Sequence, residues 1–352
     1  MNTLSLPIKA IIKETNEAIT IVFERPQNAP AYKAGQFLTL LLSIEGEALR
    51  RAYSLCSSPT LDQDWAVTVK RVPQGKVSNY LNDHAKAGDT MEVLPPAGVF
   101  TTQISPKNKR HLILFAGGSG ITPMMSILTS VLAEEPKTTV SLVYANRNEA
   151  SIIFREKIQQ LQQKYPKNFN VVHVLEEPPT QDWKGFKGML NPDMVRDILK
   201  MLPKFVFNPT EYMMCGPNGM MEQVTLAFEK LKIAKDKLKK EVFTSDLEKK
   251  TTTTSPETLS GGNKRVTIKY AGETHEFEVA PTQTILEAAM KMDIDLPYSC
   301  QSGMCTACMG KCLSGKVKLD EEDALTPKEL EQGYVLTCVG HPITDDVVIQ
   351  ID

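Results

Sequence analysis

Residues Cys300–Cys308 read CQSGMCTAC, and Cys338 closes LTC after a further 29 residues. Cys-x4-Cys-x2-Cys with a distant fourth cysteine is the plant-type spacing for a [2Fe–2S] cluster, which needs four thiolates around two irons. Ser302, Gly303, Thr306 and Ala307 are small enough to let a loop wrap the cluster and aim N–H groups at its sulfurs. A closed zinc site is the rival reading, although zinc sites usually pair two short CxxC knuckles. Cys300, Cys305, Cys308 and Cys338 are the expected metal ligands. Cys312 falls outside the spacing and is expected to be a buried thiol.

The remaining cysteines, Cys56 and Cys215, bring the total to an odd seven. The start, MNTLSLPIKAIIKETNEA, has no basic stretch leading into an apolar core, so no signal peptide or anchor is read there. Metal or cofactor ligation in a reducing cytoplasm then fits better than a disulfide framework. No apolar run approaches the ~20 residues that span a bilayer, so membrane insertion is not expected. At 352 residues, 41% hydrophobic and 23% charged, the chain has the composition of an ordinary globular protein of two or three domains. Its net charge of −2 gives no argument for nucleic acid. The charge is uneven, however. Residues 264–352 carry 8 Lys/Arg against 15 Asp/Glu, a charge of −7, which leaves +5 for residues 1–263. Opposite fields of this kind suit docking between domains or with a partner. The basic stretch Lys230, Lys232, Lys235, Lys237, Lys239, Lys240 and the acidic stretch Asp320–Asp323 read first as solvated faces.

Period-two alternation marks strands at Ala18–Glu24, Gln36–Ile44, Trp65–Lys70 and Met91–Leu94, separated by turn residues. An antiparallel β-barrel over residues 1–105 follows. From residue 106 to 245 the pattern becomes strand–helix alternation, with apolar strands at His111–Ala116, Val140–Ala145, Val171–Leu175 and Tyr212–Cys215. Such βα units imply an α/β domain on a parallel sheet. Residues 246–263 form a linker whose core, Thr251–Gly262, reads TTTTSPETLSGG and holds one aliphatic residue. The last domain, 264–352, opens with a hairpin, Arg265–Tyr270 and Glu276–Val279. Thr284 and Glu287 then form a capping box for a helix over Ile285–Met292.

Three loops carry candidate binding chemistry. Arg51-Ala52-Tyr53-Ser54 ends a barrel strand, where an arginine pairs with phosphate, a tyrosine packs on a flavin face and a serine hydroxyl bonds to the ring. Gly75-Lys76-Val77-Ser78 opens a helix, an arrangement suited to an anion. Gly117-Gly118-Ser119-Gly120-Ile121-Thr122-Pro123 joins a buried strand to a helix, and its glycines would let backbone approach a pyrophosphate. It is not the GxGxxG fingerprint. Cys215-Gly216-Pro217-Asn218-Gly219-Met220 repeats the strand-to-helix arrangement, so both loops lie at strand carboxyl ends, where open sheets bind ligands.

RAYS, GKVS, GGSGITP and CGPNGM, in that order, resemble the ferredoxin–NADP reductase superfamily across residues 1–245. Residues 264–352 resemble plant-type ferredoxins, which implies a β-grasp fold. The three-domain order resembles oxygenase reductases, including those that serve phenylacetyl-CoA epoxidation. The resemblance implies that Arg51, Tyr53 and Ser54 bind the flavin and that Gly75, Lys76, Val77 and Ser78 hold its phosphates. It places Gly117, Gly118, Gly120, Thr122, Gly216 and Pro217 at the nicotinamide dinucleotide. It places Cys215 beside the nicotinamide, and Glu241 and Phe243 in the segment that closes over the flavin. Cys215, Tyr53 and Glu241 are the expected catalytic set. The intact GKVS loop and the stretch to Gly98-Val99-Phe100 favour FAD over FMN. Arg147 stands where a 2′-phosphate would sit, which tilts the reading toward NADPH over NADH. The expected partner is a di-iron oxygenase component or a similar redox protein. A ring-hydroxylating dioxygenase as acceptor, and a redox sensor without turnover, are the other readings.

Overall fold

In the computed structural model, the described residues are 3–180, 183, 185–204, 208–234, 237–243, 262–298, 301, 303, 306–322, 324, 325 and 327–351. Residues 251–261 of the expected linker core, Ser302, Lys235, Asp323, and the expected ligands Cys300 and Cys305 lie outside them.

Alternating Val, Ile, Leu and Phe build the first domain. β1 (Leu4–Thr15), β2 (Ala18–Phe23), β3 (Phe37–Ile44), β4 (Glu47–Ser54), β5 (Trp65–Lys70) and β6 (Thr90–Ala97) pair in the order β4-β3-β6-β1-β2-β5, all antiparallel. A bridge between Leu55 and Val67 joins the two ends and closes the sheet into a barrel. Its core packs Leu6, Ile21, Leu38, Leu40, Trp65 and Val67, each with at most 1% exposure. Helix α1 (Lys76–His84) lies between β5 and β6. The long β1 is missing from the sequence reading. Its inner and outer residues alternate only near the start, and Ile11 and Ile12 follow one another.

The second domain carries β7 (His111–Gly117), α2 (Ile121–Glu134), β8 (Thr139–Asn146), α3 (Arg155–Lys164), β9 (Phe169–Leu175), β10 (Phe186–Lys187), α4 (Pro192–Met201), β11 (Thr210–Gly216), α5 (Asn218–Lys230) and β12 (Leu238–Val242). All its pairs are parallel, in the order β10-β9-β8-β7-β11-β12. The chain adds strands outward from β7 through β8 to one side and then returns to add β11 on the other, which makes the crevice between β7 and β11 the switch point of the sheet. One sheet face packs against α2 and α3 and the other against α4 and α5, so adjacent residues such as Leu114 and Phe115 serve different cores. Helix α2 is buried from Ile121 to Leu132 because the barrel covers its outer side. Ala34, Cys56 and Phe100 share its core. Ser126 Oγ donates to the Ser57 carbonyl at 2.6 Å, and the hydroxyls of Ser58 and Ser130 lie 2.7 Å apart. Seated this way, the two domains fix the crevice against β4.

The third domain has β13 (Lys264–Tyr270), β14 (Glu273–Val279), α6 (Ile285–Lys291), β15 (Met309–Ser314), β16 (Val317–Leu319), α7 (Pro327–Glu331), β17 (Tyr334–Leu336), β18 (Gly340–Pro342) and β19 (Val347–Gln350). Its main sheet runs β14-β13-β19-β15-β17, with β13 and β19 parallel and α6 packed on it, which is the expected β-grasp arrangement. The Thr284–Glu287 capping box is present in both directions. Cys312 is half-buried rather than buried, its thiol donating to the Ser314 carbonyl at 3.1 Å near the sheet edge. Among the described residues, no helix is long and apolar enough to cross a membrane.

Candidate functional site

Strand β4 is the centre of the site. Arg51 and Tyr53 pair with Leu40 and Leu38 of β3, which places them two apart on one face of the strand. Arg51 Nη1 donates to the Arg50 carbonyl at 2.7 Å. Tyr53 is half-buried against the barrel core, and burial pushes its phenol above the ordinary range. Ser54 is buried, and its Oγ donates to Glu241 Oε2 at 3.3 Å across the domain boundary.

Glu241 sits on β12 directly opposite Cys215 on β11. Both are buried, at 8% and 0% exposure. Burial first, and then the charge of Glu241, push the Cys215 thiol well above its ordinary value. It is therefore a neutral, compact group rather than a thiolate nucleophile. Ser54, Glu241 and Cys215, which are far apart in sequence, thus meet at one junction. Phe243, just past β12, is 37% exposed.

The two glycine loops abut at the switch point. A Cβ on Gly120 would lie 2.1 Å from the Cys215 carbonyl oxygen, and one on Gly117 would lie 2.7 Å from both Pro217 and Met220. One on Gly216 would lie 2.9 Å from Gly117 N. These glycines are thus needed for the loops to pack on each other, a reason distinct from the ligand approach inferred from sequence. Gly118 differs. Its φ of +51° needs glycine, and the Lys70 Nζ is the near neighbour of its open side, at 3.6 Å. Its carbonyl accepts from Tyr144 Oη at 3.0 Å. Thr122 Oγ1 donates to the Ser119 carbonyl at 3.0 Å, fixing the first turn of α2. Pro217 is the N-cap of α5 and is exposed.

Gly75 caps α1 without a side-chain hydrogen bond, so the first-turn N–H groups of that helix have no capping side chain. The buried Val77 and Ser78 anchor the turn, with Ser78 Oγ accepting from Val72 N at 3.0 Å. Lys76 Nζ lies 2.8 Å from Glu47 and 3.1 Å from Glu45, which raise its pKa and tie α1 to the β3–β4 turn. The aromatic ring of Tyr53, the Arg51 guanidinium and this uncapped helix start fit a flavin ring and its phosphates.

Cys308 and Cys338 are buried in the third domain's core. Thr337 stands between them, its N–H donating to the Cys308 carbonyl at 3.1 Å. Gly303 has φ +71°, and a Cβ there would lie 2.8 Å from Glu321. Two buried thiols beside a glycine-tightened turn fit a thiolate-held cluster.

Arg147, at the end of β8, does not stand free. Its Nε lies 3.0 Å from Glu177 Oε1, just past β9, and Arg147 holds that carboxylate below its usual range. Glu177, Lys70 and Arg50 (described below) are neighbours the sequence reading missed. Each sits beside a motif in space, although for Lys70 and Arg50 proximity to RAYS and the end of a strand was a usable signal. A groove of about 710 Å³ between the barrel and the start of α3, lined by Glu14, Cys56, Phe154 and Lys157 among others, includes none of the candidate binding or catalytic residues.

Comparison with known proteins agrees with this layout. Residues 5–102 match the model of the oxidoreductase FAD-binding domain, 114–225 the oxidoreductase NAD-binding domain and 268–342 the 2Fe-2S iron-sulfur cluster binding domain. The ferredoxin reductase component of the 3-ketosteroid-9-alpha-monooxygenase of Rhodococcus rhodochrous is 38% identical over 354 residues, covering 98% of this chain and 96% of that one. A component of the 1,2-phenylacetyl-CoA epoxidase of Escherichia coli (strain K12) is 34% identical over 352 residues, covering 99% and 97%. Among solved structures, phthalate dioxygenase reductase has a TM-score of 0.59 at 23% identity, covering 99% of this chain and 98% of that one. An intact type IV self-sufficient cytochrome P450 monooxygenase gives 0.74 at 22%, with 99% of this chain matching 41% of that one. These two structures share the fold. With all three domains matched in order and full-length relatives above 30% identity, the chain belongs to the family of oxidoreductases that form the ferredoxin reductase components of oxygenase systems.

Proposed function

We propose that the protein takes electrons from NADH and passes them through FAD and a [2Fe–2S] cluster to an oxygenase, with a phenylacetyl-CoA epoxidase as the acceptor. The observation that carries this reading is the position of β4. Within five residues it touches the nucleotide domain through Ser54–Glu241 and the ferredoxin domain through Arg50–Asp295. When bound, a flavin accepts an electron pair and releases it singly, and a [2Fe–2S] cluster carries one electron at a time. The chain's own residues do the positioning. Arg51 and the start of α1 hold phosphate, Tyr53 supports the ring, and Ser54 orients the junction through Glu241. Cys215 fills the space where nicotinamide meets flavin without adding charge, and its burial keeps water out.

NADH is favoured over the NADPH of the sequence reading because Glu177 engages Arg147, and its carboxylate would repel a 2′-phosphate. The comparison of kcat/KM for the two nucleotides tests this.

A second acceptor, a 3-ketosteroid-9-alpha-monooxygenase, is favoured by the 38% identity of the Rhodococcus rhodochrous relative. Reconstitution with each purified oxygenase separates the two. Coupled turnover with the epoxidase alone supports the first reading, and turnover with the steroid enzyme alone replaces it.

A further inference from the structure

The pair Arg50-Arg51 divides its work. Successive side chains of a strand point to opposite faces, so the two guanidinium groups diverge. Arg51 belongs to the flavin-facing set. Arg50 reaches the ferredoxin domain: its Nη2 lies 2.8 Å from Asp295 Oδ1, and its guanidinium carbon lies 4.5 Å from the centroid of the Tyr298 ring. Asp295 and Tyr298 stand five and two residues before Cys300, the first cysteine of the cluster motif.

We infer that Arg50 is a latch that docks the ferredoxin domain on β4, and so a positioning residue for electron transfer from flavin to cluster; the electron-transfer part rests on the function proposed above. One side chain joins the strand that carries RAYS to the segment that leads into CQSGMC. The fields agree, since a domain of charge −7 meets a remainder of +5. The contact is also releasable. Asp295 is 69% exposed, so its ion pair is screened by salt, while Tyr298 adds a cation–π contact that only the correct orientation offers. A planar guanidinium serves both partners at once, which an ammonium does less well. With the cofactors bound, NADH would leave as NAD+ after giving its electron pair to the flavin, and each docking event would pass one electron to the cluster, which the oxygenase must take up before the next. Two docking events with two electrons delivered to the acceptor would then balance one NADH.

The test compares the holoprotein with Arg50→Ala, Arg50→Lys and Asp295→Asn. The first readout is backbone hydrogen exchange at residues 292–298, which needs no turnover. The second is anaerobic stopped-flow absorbance, which resolves flavin reduction by NADH from subsequent cluster reduction. Losing an exposed ion pair and a cation–π contact corresponds to roughly a ten-fold loss of docked population. Arg50→Ala is expected to speed exchange at 292–298 and to slow cluster reduction about ten-fold, with flavin reduction by NADH unchanged. Arg50→Lys should recover part of the loss. Asp295→Asn, at an exposed site that does not threaten folding, should give a smaller loss that vanishes at high salt. Wild-type exchange together with a wild-type cluster rate in Arg50→Ala overturns the latch. Faster exchange in Arg50→Ala, in a protein whose wild-type cluster never accepts flavin electrons, supports the docking contact and overturns the function on which its redox role rests.

Discussion

On the proposed function, Cys215 would serve redox chemistry by staying neutral. Its thiol is buried opposite the buried carboxylate of Glu241, and burial first and then that charge push its pKa well above the ordinary thiol range, which favours the neutral thiol. The rate of flavin reduction by NADH should therefore be flat between pH 7 and about pH 9 as far as this group is concerned. A thiolate limb near pH 8.5 that disappears in Cys215→Ala would contradict the assignment. If the nicotinamide is held there as proposed, the same variant leaves a gap against it, and a misplacement of this kind costs roughly 100-fold in rate. Retained FAD absorbance would show that the loss is not one of folding. At the nucleotide's other end, Glu177→Gln frees Arg147 from its ion pair. The expected outcome is a shift of about ten-fold in the kcat/KM ratio toward NADPH, read from parallel steady-state assays. An unchanged ratio would remove Glu177 from donor selection. Both partners of Arg147 and Cys215 come from other strands, which is why the sequence named the motif residues but not all of their neighbours. The resemblance named Cys215 and Glu241, and the structure pairs them on neighbouring strands. Glu177, 30 residues beyond Arg147, had no local signal.

At the scale of elements, local patterns were legible wherever one side chain decides the geometry. Thr284–Glu287 set the start of α6, and the apolar runs set β7, β8 and β11 within a residue or two. Helix α2 was harder to read, since a segment buried on all sides shows no polar face. The glycines of the switch point have a second reason that the sequence does not show. Two backbones approach there, and a Cβ on Gly120 would overlap the Cys215 carbonyl. Gly120→Ala should therefore cost about 1–3 kcal/mol or more and lower the melting temperature of the nucleotide domain. Gly118→Ala, strained by its positive φ but with open space around it, should cost about 1–2 kcal/mol. A larger loss for Gly118→Ala than for Gly120→Ala would contradict the packing argument. At the start of β7, His111 is 2% exposed, with Nε2 2.8 Å from Ser141 Oγ, and burial lowers its pKa to about 4. The unfolded chain takes up this proton near pH 6.5, whereas the folded domain refuses it until about pH 4. The domain thus has its full stability above about pH 6.5 and loses up to about 3 kcal/mol of it as pH falls toward 4. Protection of β7 amides should decline over that window in the wild type and much less in His111→Gln.

Over the whole molecule, the order of three domains was legible because each is announced by compact motifs. Their mutual placement was not, because it rests on pairs distant in sequence. Ser54 with Glu241 is 187 residues apart and Arg50 with Asp295 is 245. The buried Arg110, bound to Glu135 at 2.8 Å and Glu211 at 2.9 Å, is a distant pairing of the same kind inside the nucleotide domain. No periodicity reports these contacts, whereas charge asymmetry reports only that docking is favourable. Electrons are taken to run from nucleotide to flavin to cluster, across two domain boundaries that β4 spans. An anaerobic visible-absorption titration of the holoprotein with NADH, and separately NADPH, tests that path most directly. The expected result is that the flavin band bleaches first and the iron–sulfur bands follow, with NADH effective at the lower concentration. Flavin bleaching while the cluster bands persist would contradict it.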